Sequence, residues 1–109
     1  MRAKRKLGQG ARVSVVALTA LFFLPNSSQA GDVFKGQELY NLHCAGCHGT
    51  NGEGEMPGMP NFTRAEKLIK TDNQLADVVR AGSGVMPSFN GRLAEDEIFD
   101  IVSYIRTFL

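Results

Sequence analysis

Apolar side chains in residues 31–109 recur at helical spacing wherever they follow a pattern, and the alternation typical of β-strands is absent. The clearest case is the C-terminal segment, where Ile98, Ile101, Val102 and Ile105 fall on one face of a helix that runs to the chain end. Acidic residues begin that segment, where the helix dipole favours negative charge. The pattern predicts an all-α fold.

Three further helices are predicted before the C-terminal one. A Thr followed three residues later by Glu or Gln is a capping-box pattern, and Thr63 with Glu66 and Thr71 with Gln74 both show it. Gly82 is a good terminator for the helix that begins at Thr71. The predicted segments are residues 32–42, residues 63–70 and residues 71–81, with loops at residues 49–61 and 83–93.

Residues 1–30 have a different character from the rest of the chain. They combine a basic start, an apolar run over residues 13–24, and small and polar residues that end at Ala30. This order is typical of a secretory signal peptide, with cleavage expected after Ala30. An uncleaved membrane anchor is the alternative, but twelve residues span only about 18 Å of a hydrocarbon core of about 30 Å. We therefore expect export to the periplasm and a mature domain of residues 31–109.

The formal net charge of +1 over 109 residues is the sum of two parts with opposite charge. Five basic residues and no acid lie in residues 1–30, so residues 31–109 hold seven basic and eleven acidic residues, a formal charge of −4. A domain of this size buries too little surface for comfortable stability without a disulfide, a metal or a large cofactor. A disulfide across the two-residue spacing of its only cysteines would remove little chain entropy. We therefore expect a cofactor to complete the core.

The sequence CAGCH at residues 44–48 has the spacing of a covalent haem-attachment site. Two thiols add to the vinyl groups on one porphyrin edge, and the next residue brings an imidazole to the iron. A thioredoxin-like redox pair would need a longer chain with a βαβ pattern, and a zinc site would need four ligands, for which only His43 is left nearby. A structural disulfide would leave the core without the cofactor that is expected to complete it. The motif predicts one haem c per chain, bound through Cys44 and Cys47 with His48 as an iron ligand.

The second axial position of such an iron takes a Met, a His or no ligand from the chain. Met86 is favoured because it lies in a separate loop between two predicted helices, and Pro87 stiffens the backbone behind it. His43 is too close to the attachment segment to reach the opposite face. Two other methionines, Met56 and Met59, follow His48 closely in a Gly- and Pro-rich loop that we expect to wrap the same side. A core methionine with an open iron site is the alternative for Met86.

These residues together resemble the class I c-type monohaem cytochromes, and the resemblance covers essentially all of residues 31–109. Gly36 and Tyr40 resemble the pair at which the N- and C-terminal helices of that family cross, with Tyr104 as the expected aromatic partner. The resemblance implies a small class I cytochrome c fold, with about four short helices wrapped around one covalently attached haem.

Two loops carry the rest of the resemblance. Residues 58–62 resemble the loop in which a proline carbonyl, here Pro60, accepts the second ring hydrogen of the ligand His48. Residues 85–93, followed by an acidic helix start, resemble the small photosynthetic-type (c-six) cytochromes, whereas the Pro60 loop looks more like that of general bacterial electron-shuttle cytochromes. Arg92, just past the ligand loop, is expected to pair with a haem propionate.

The resemblance implies a one-electron carrier and not an enzyme, because His48 and Met86 together would leave no open site on the iron. The expected partners are a redox donor and acceptor that bind briefly at the exposed haem edge, with no nucleic acid and no stable membrane insertion. The expected state is a monomer with an acidic surface, in the periplasm or in a thylakoid lumen-like compartment if the source is photosynthetic. Two alternatives stay open: a ligand-binding or catalytic haem subunit in which Met86 leaves the iron, and a module of a larger redox complex.

Overall fold

The computed structural model describes Gly10 and residues 30–109, and in these residues the secondary structure is helical. The four α-helices are α1 (Val33–His43), α2 (Ala45–His48), α3 (Asp72–Ala81) and α4 (Glu95–Arg106), with a 3₁₀ helix at Phe62–Arg64. No β-strand forms in this part of the chain. The all-α prediction is thereby confirmed. The predicted signal peptide lies outside the described residues, apart from its positions 10 and 30.

Local hydrogen bonds explain where the main helices begin. The Asp32 carboxylate accepts the backbone N–H groups of Phe34 and Lys35, at 2.9 and 3.2 Å, and so caps α1. The capping box predicted for α3 is formed, because Thr71 and Gln74 each accept a backbone N–H from the other, at 2.9 and 3.2 Å. These short-range contacts place α1 and α3 where the sequence pattern predicts them.

The helix predicted over residues 63–70 is wrong. The structure has only the short 3₁₀ helix there, because Ala65 and Lys67 adopt left-handed backbone angles, with φ of 58° and 63°. Asn61, not Thr63, is the capping residue: its side chain accepts the N–H of Thr63 at 3.0 Å, and its own N–H donates to Glu66 at 2.8 Å. Glu66 therefore closes a tight turn with Asn61 and does not form a capping box with Thr63.

Helices α1 and α4 cross at Gly36, where the two backbones touch. A Cβ atom at Gly36 would lie 2.0 Å from the carbonyl oxygen of Asp100, so only glycine permits this approach. One turn further along α1, the fully buried Tyr40 packs edge-to-face on Tyr104 and Phe108, with ring centroids 5.3 and 5.4 Å apart. The predicted crossing pair and its aromatic partner are confirmed.

The Arg106 side chain of α4 ties that helix to the chain segment before α3. Its guanidinium donates to the carbonyls of Leu68 and Lys70, at 2.7 and 2.5 Å, and to the Asp72 carboxylate at 3.0 Å. Such fork-shaped contacts fix both position and direction. No helix within residues 30–109 has the length and apolar character needed to cross a membrane.

We expect Gly36→Ala to lower the free energy of unfolding by about 3 kcal/mol, because the added methyl group must force α1 away from α4. Chemical denaturation of the haem-bound protein measures the change. Gln37→Ala, at the exposed neighbouring position, is the matched control and should stay within about 0.5 kcal/mol of the parent. Equal midpoints for the two variants would show that the close crossing does not limit stability.

Candidate functional site

Helices α1, α3 and α4 and the loops between them surround two adjoining cavities of about 540 and 150 Å³. The larger has the volume of a typical cofactor or ligand pocket, about 300–1,000 Å³. The residues that line both cavities are Cys44, His48, Met59, Val85 and Met86. The attachment motif and the loop around Met86, which lie far apart in the sequence, thus meet at one place.

The attachment motif forms a helical turn that continues directly from α1. Cys44 donates its N–H to the Tyr40 carbonyl at 2.8 Å, and the N–H of His48 donates to the Cys44 carbonyl at 3.0 Å. Residues three and four apart lie on the same side of a helix, so Cys44, Cys47 and His48 share one face. Both cysteines are free thiols, the first buried and the second exposed. The arrangement suits a group held at two points along one edge.

The Cys44 thiol is poorly suited to redox exchange or zinc binding. Burial raises its pKa to about 11, with a smaller contribution from Cys47, so the thiolate is disfavoured at neutral pH. A reactive redox cysteine needs a lowered pKa. No cluster of three or more potential metal-binding His, Cys, Asp or Glu side chains occurs in residues 30–109. Both observations favour haem attachment over a thiol redox pair and over a zinc site.

The His48 ring is held by stacking and leaves one nitrogen unpaired. It stacks on Phe62 with centroids 5.0 Å apart, and Phe62 in turn stacks on Phe108 at 6.5 Å. Burial lowers the pKa of His48, which favours the neutral imidazole that binds metals. Its Nδ1 is buried with no hydrogen-bond partner. An unpaired buried polar atom costs about 1–3 kcal/mol, so Nδ1 lacks the partner that the second nitrogen of a metal-binding histidine usually has.

The predicted hydrogen bond between His48 and the Pro60 carbonyl is not formed, because His48 Nδ1 has no partner. Pro60 does line the larger cavity together with His48, so its role as an orienting residue stays a prediction. The stacking of Phe62 on the ring was not anticipated from the sequence. The only signal was an aromatic residue two positions after Pro60, which does not specify a partner.

The loop that carries Met86 follows α3 and is hydrogen-bonded to the C-terminal end of that helix. Ser88 Oγ donates to the Arg80 carbonyl at 2.7 Å, and the N–H of Phe89 donates to the Val79 carbonyl at 3.2 Å. Gly82 allows the chain to turn back, with φ of 76° and ψ of 173°. These two contacts, one from the Ser88 side chain and one between backbone groups, hold Met86 at the cavity wall from the α3 side.

The other predicted candidates also reach the cavities. Met59 lines both, whereas Met56 and His43 line only the smaller one. His43 is exposed and touches the Phe89 ring edge-on, with centroids 5.8 Å apart. The loop before Met59 returns toward the attachment motif, because the N–H of Gly54 donates to the His48 carbonyl at 2.8 Å.

Arg92 is not brought to the cavities. Its guanidinium lies over the Phe89 ring, 4.9 Å from the centroid, and it is absent from the described residues that line either cavity. The pairing of Arg92 with a propionate therefore has no support in the geometry and stays a prediction only. Two cations that the sequence reasoning missed, Lys67 and Lys70, line the larger cavity instead. Their spacing alone is that of an ordinary exposed turn and gave no signal.

Comparisons with known proteins agree with this geometry. A family model described as cytochrome C oxidase, cbb3-type, subunit III matches residues 31–105. The chain is similar to cytochrome c6 of Cyanidium caldarium, with 31% identity over 97 residues that cover 85% of this chain and 86% of that protein. It is also similar to cytochrome c6 of Synechocystis sp., with 27% identity over 94 residues, covering 84% and 78% of the two chains.

A solved structure shows the same fold. The structure of cytochrome c6 from the diatom Phaeodactylum tricornutum aligns with a TM-score of 0.58 and 26% identity. The alignment covers 71% of this chain and 93% of that one.

We expect Gly82→Ala to destabilise the protein by about 2 kcal/mol more than Gly91→Ala. Both positions have left-handed φ angles, 76° and 74°, so both variants carry similar backbone strain. Only at Gly82 would the new Cβ meet the Met86 loop, 2.6 Å from the Met86 carbonyl oxygen; at Gly91 nothing lies within 4 Å. Denaturant unfolding of the haem-bound variants gives the difference. Equal losses would mean that the Met86 loop does not depend on its contact with Gly82.

Proposed function

Because the chain belongs to the small c-type cytochromes, the family shared by the cbb3-type subunit III model and the cytochrome c6 relatives, we propose that its haem is bound by Cys44, Cys47, His48 and Met86. Family membership gives a covalently attached haem c and the function of an electron carrier between redox partners. The observation that carries the ligand assignment is that Cys44, His48 and Met86 line both cavities.

When bound, the haem supplies an iron that takes up and releases one electron. Cys44 and Cys47 would hold the haem through thioether bonds, and His48 and Met86 would both bind its iron. With both residues on the iron, no site would be left for oxygen or peroxide. The protein is accordingly a carrier and not an enzyme.

Met86 is a better iron ligand than Met59 because it approaches from a different part of the fold. The loop of Met59 is tied to the attachment motif itself: Gly54 bonds the His48 carbonyl, and a Cβ at Gly54 would lie 3.1 Å from the Cβ of Met59. The loop of Met86 is held by the end of α3. A ligand opposite His48 needs this independent attachment.

The exposed side of the attachment motif is the route for electrons. Cys47 is exposed while Cys44 is buried, so a haem held at Cys47 would be reached from the surface there. Partners meet this edge briefly as the carrier, a monomer with −4 on residues 31–109, passes between donor and acceptor. The leader-like residues 1–30 support an exchange in the periplasm, or in a thylakoid lumen-like compartment of a photosynthetic source.

A second role is favoured by one observation, the description of the matching family model as a subunit of an oxidase. In that role the same haem site serves inside a larger complex. The two roles differ in whether the chain elutes alone or with partners when a native extract is fractionated by size. The single CxxCH motif and the length shared with cytochrome c6 relatives support the free carrier.

We expect Met86→Ala to abolish the near-infrared iron–sulfur band of the oxidised protein, because the sulfur ligand is lost. Absorption spectroscopy of the haem-bound variants measures the band. Met59→Ala is the matched control, since Met59 lines the same cavities, and it should keep the band. The reduced parent protein should show no spectral change with carbon monoxide.

Two results would contradict the assignment of Met86 as the iron ligand. Loss of the band in Met59→Ala with retention in Met86→Ala would make Met59 the ligand. A carbon monoxide complex of the reduced parent at neutral pH would support the ligand-binding alternative, in which Met86 does not hold the iron.

A further inference from the structure

We propose that Lys67 and Lys70, on the wall of the larger cavity, bind the haem propionates and thereby help to set the reduction potential. The inference deepens the proposed function and rests on it, because it requires the haem to lie in this cavity. Neither lysine was expected to have this role from the sequence, where Arg92 was the candidate.

The cavity wall is apolar except for a few groups, and among the described residues its only charged side chains are these two lysines. The remaining polar side chains on the larger cavity are those of Tyr40, His48 and Ser83, apart from the Cys44 thiol. No carboxylate occurs among the described residues that line either cavity. A pair of cations beside an apolar pocket is a binding site for an apolar group that carries acidic substituents.

The lysines are also free of the ion pairs that engage three of the five other cations in residues 31–109. Lys35 pairs with Glu97 at 3.7 Å, and Arg106 pairs with Asp72 at 2.9 Å. Arg80 is bound by Asp77 and Glu95. Within residues 30–109, Lys67 and Lys70 make no ion pair, although acids outnumber bases by eleven to seven in residues 31–109. Their charges remain available to an anion in the cavity.

The backbone around the lysines is held in an unusual and fixed conformation. Lys67 has a φ of 63°, a left-handed angle that costs a residue with a side chain about 1–2 kcal/mol. Leu68, only 4% exposed, anchors the turn in the core, and Arg106 donates to the carbonyls of Leu68 and Lys70. Strain of this kind persists where surrounding contacts impose it, and it is concentrated at binding sites.

The charge of the pair has a direct consequence for the iron. A haem carries two propionate carboxylates, whose negative charge stabilises the ferric state over the ferrous state. Cations beside the carboxylates offset this effect and raise the reduction potential. Lys67 and Lys70 are exposed, so solvent screens this interaction relative to one between buried charges.

The test uses the haem-bound protein with Lys67→Gln, Lys70→Gln and the double variant. Arg64→Gln is the matched control, because Arg64 is an exposed cation in the same segment that does not line the cavities. We expect the reduction potential to fall in each lysine variant and further in the double variant, with a smaller shift in Arg64→Gln. In redox-difference infrared spectra, the propionate carboxylate bands should move in the lysine variants and not in the control.

The outcomes separate this inference from the proposed function. If the iron–sulfur band and the carboxylate bands are unchanged and the potential shift equals that of Arg64→Gln, the lysines do not bind the propionates. The same conclusion follows if only the rate of reaction with a redox partner changes, since that result assigns them to docking. Absence of the iron–sulfur band from the parent protein would instead overturn the Met86 ligation on which the proposed function depends.

Discussion

The fold of residues 30–109 depends on a cavity that its own side chains line but do not fill. Its larger part measures about 540 Å³, and its walls are mainly apolar. Apolar walls gain free energy when they are covered, at about 25 cal/mol per Å² of apolar surface removed from water. A covalently held haem would cover them and supply the core that so short a chain lacks.

Two close backbone contacts bring the ligands to the cavity. At Gly36, α1 lies against α4, which directs the attachment motif at the end of α1 toward the interior. At Gly82, the chain leaving α3 turns back on itself and presents Met86 from the other direction. Because each contact is made by backbone atoms, neither depends on the flexible side chains of the surface. The positions of the attachment motif and of Met86 therefore follow from how the backbone packs at Gly36 and Gly82.

The sequence was most informative where short-range physics decides the structure. The capping residues and apolar spacing place α1, α3 and α4, and the cysteine spacing identifies the cofactor. The failures were decided by backbone angles and side-chain contacts that the sequence pattern does not display. The segment at residues 63–70 forms a turn because Ala65 and Lys67 adopt left-handed backbone angles, and Arg106 of the distant α4 binds two of its carbonyls. Arg92 lies over Phe89, three residues earlier in the chain, and does not line either cavity.

Amide hydrogen exchange in α1 and α4 tests most directly the claim that haem is part of the core. The comparison is between the haem-bound protein and a haem-free Cys44→Ala/Cys47→Ala variant. The account predicts strong protection around Tyr40 and Ile101 in the haem-bound protein, and loss of most of this protection in the haem-free chain. Equal protection in both would contradict it, because the helices would then pack stably around the cavity without the haem.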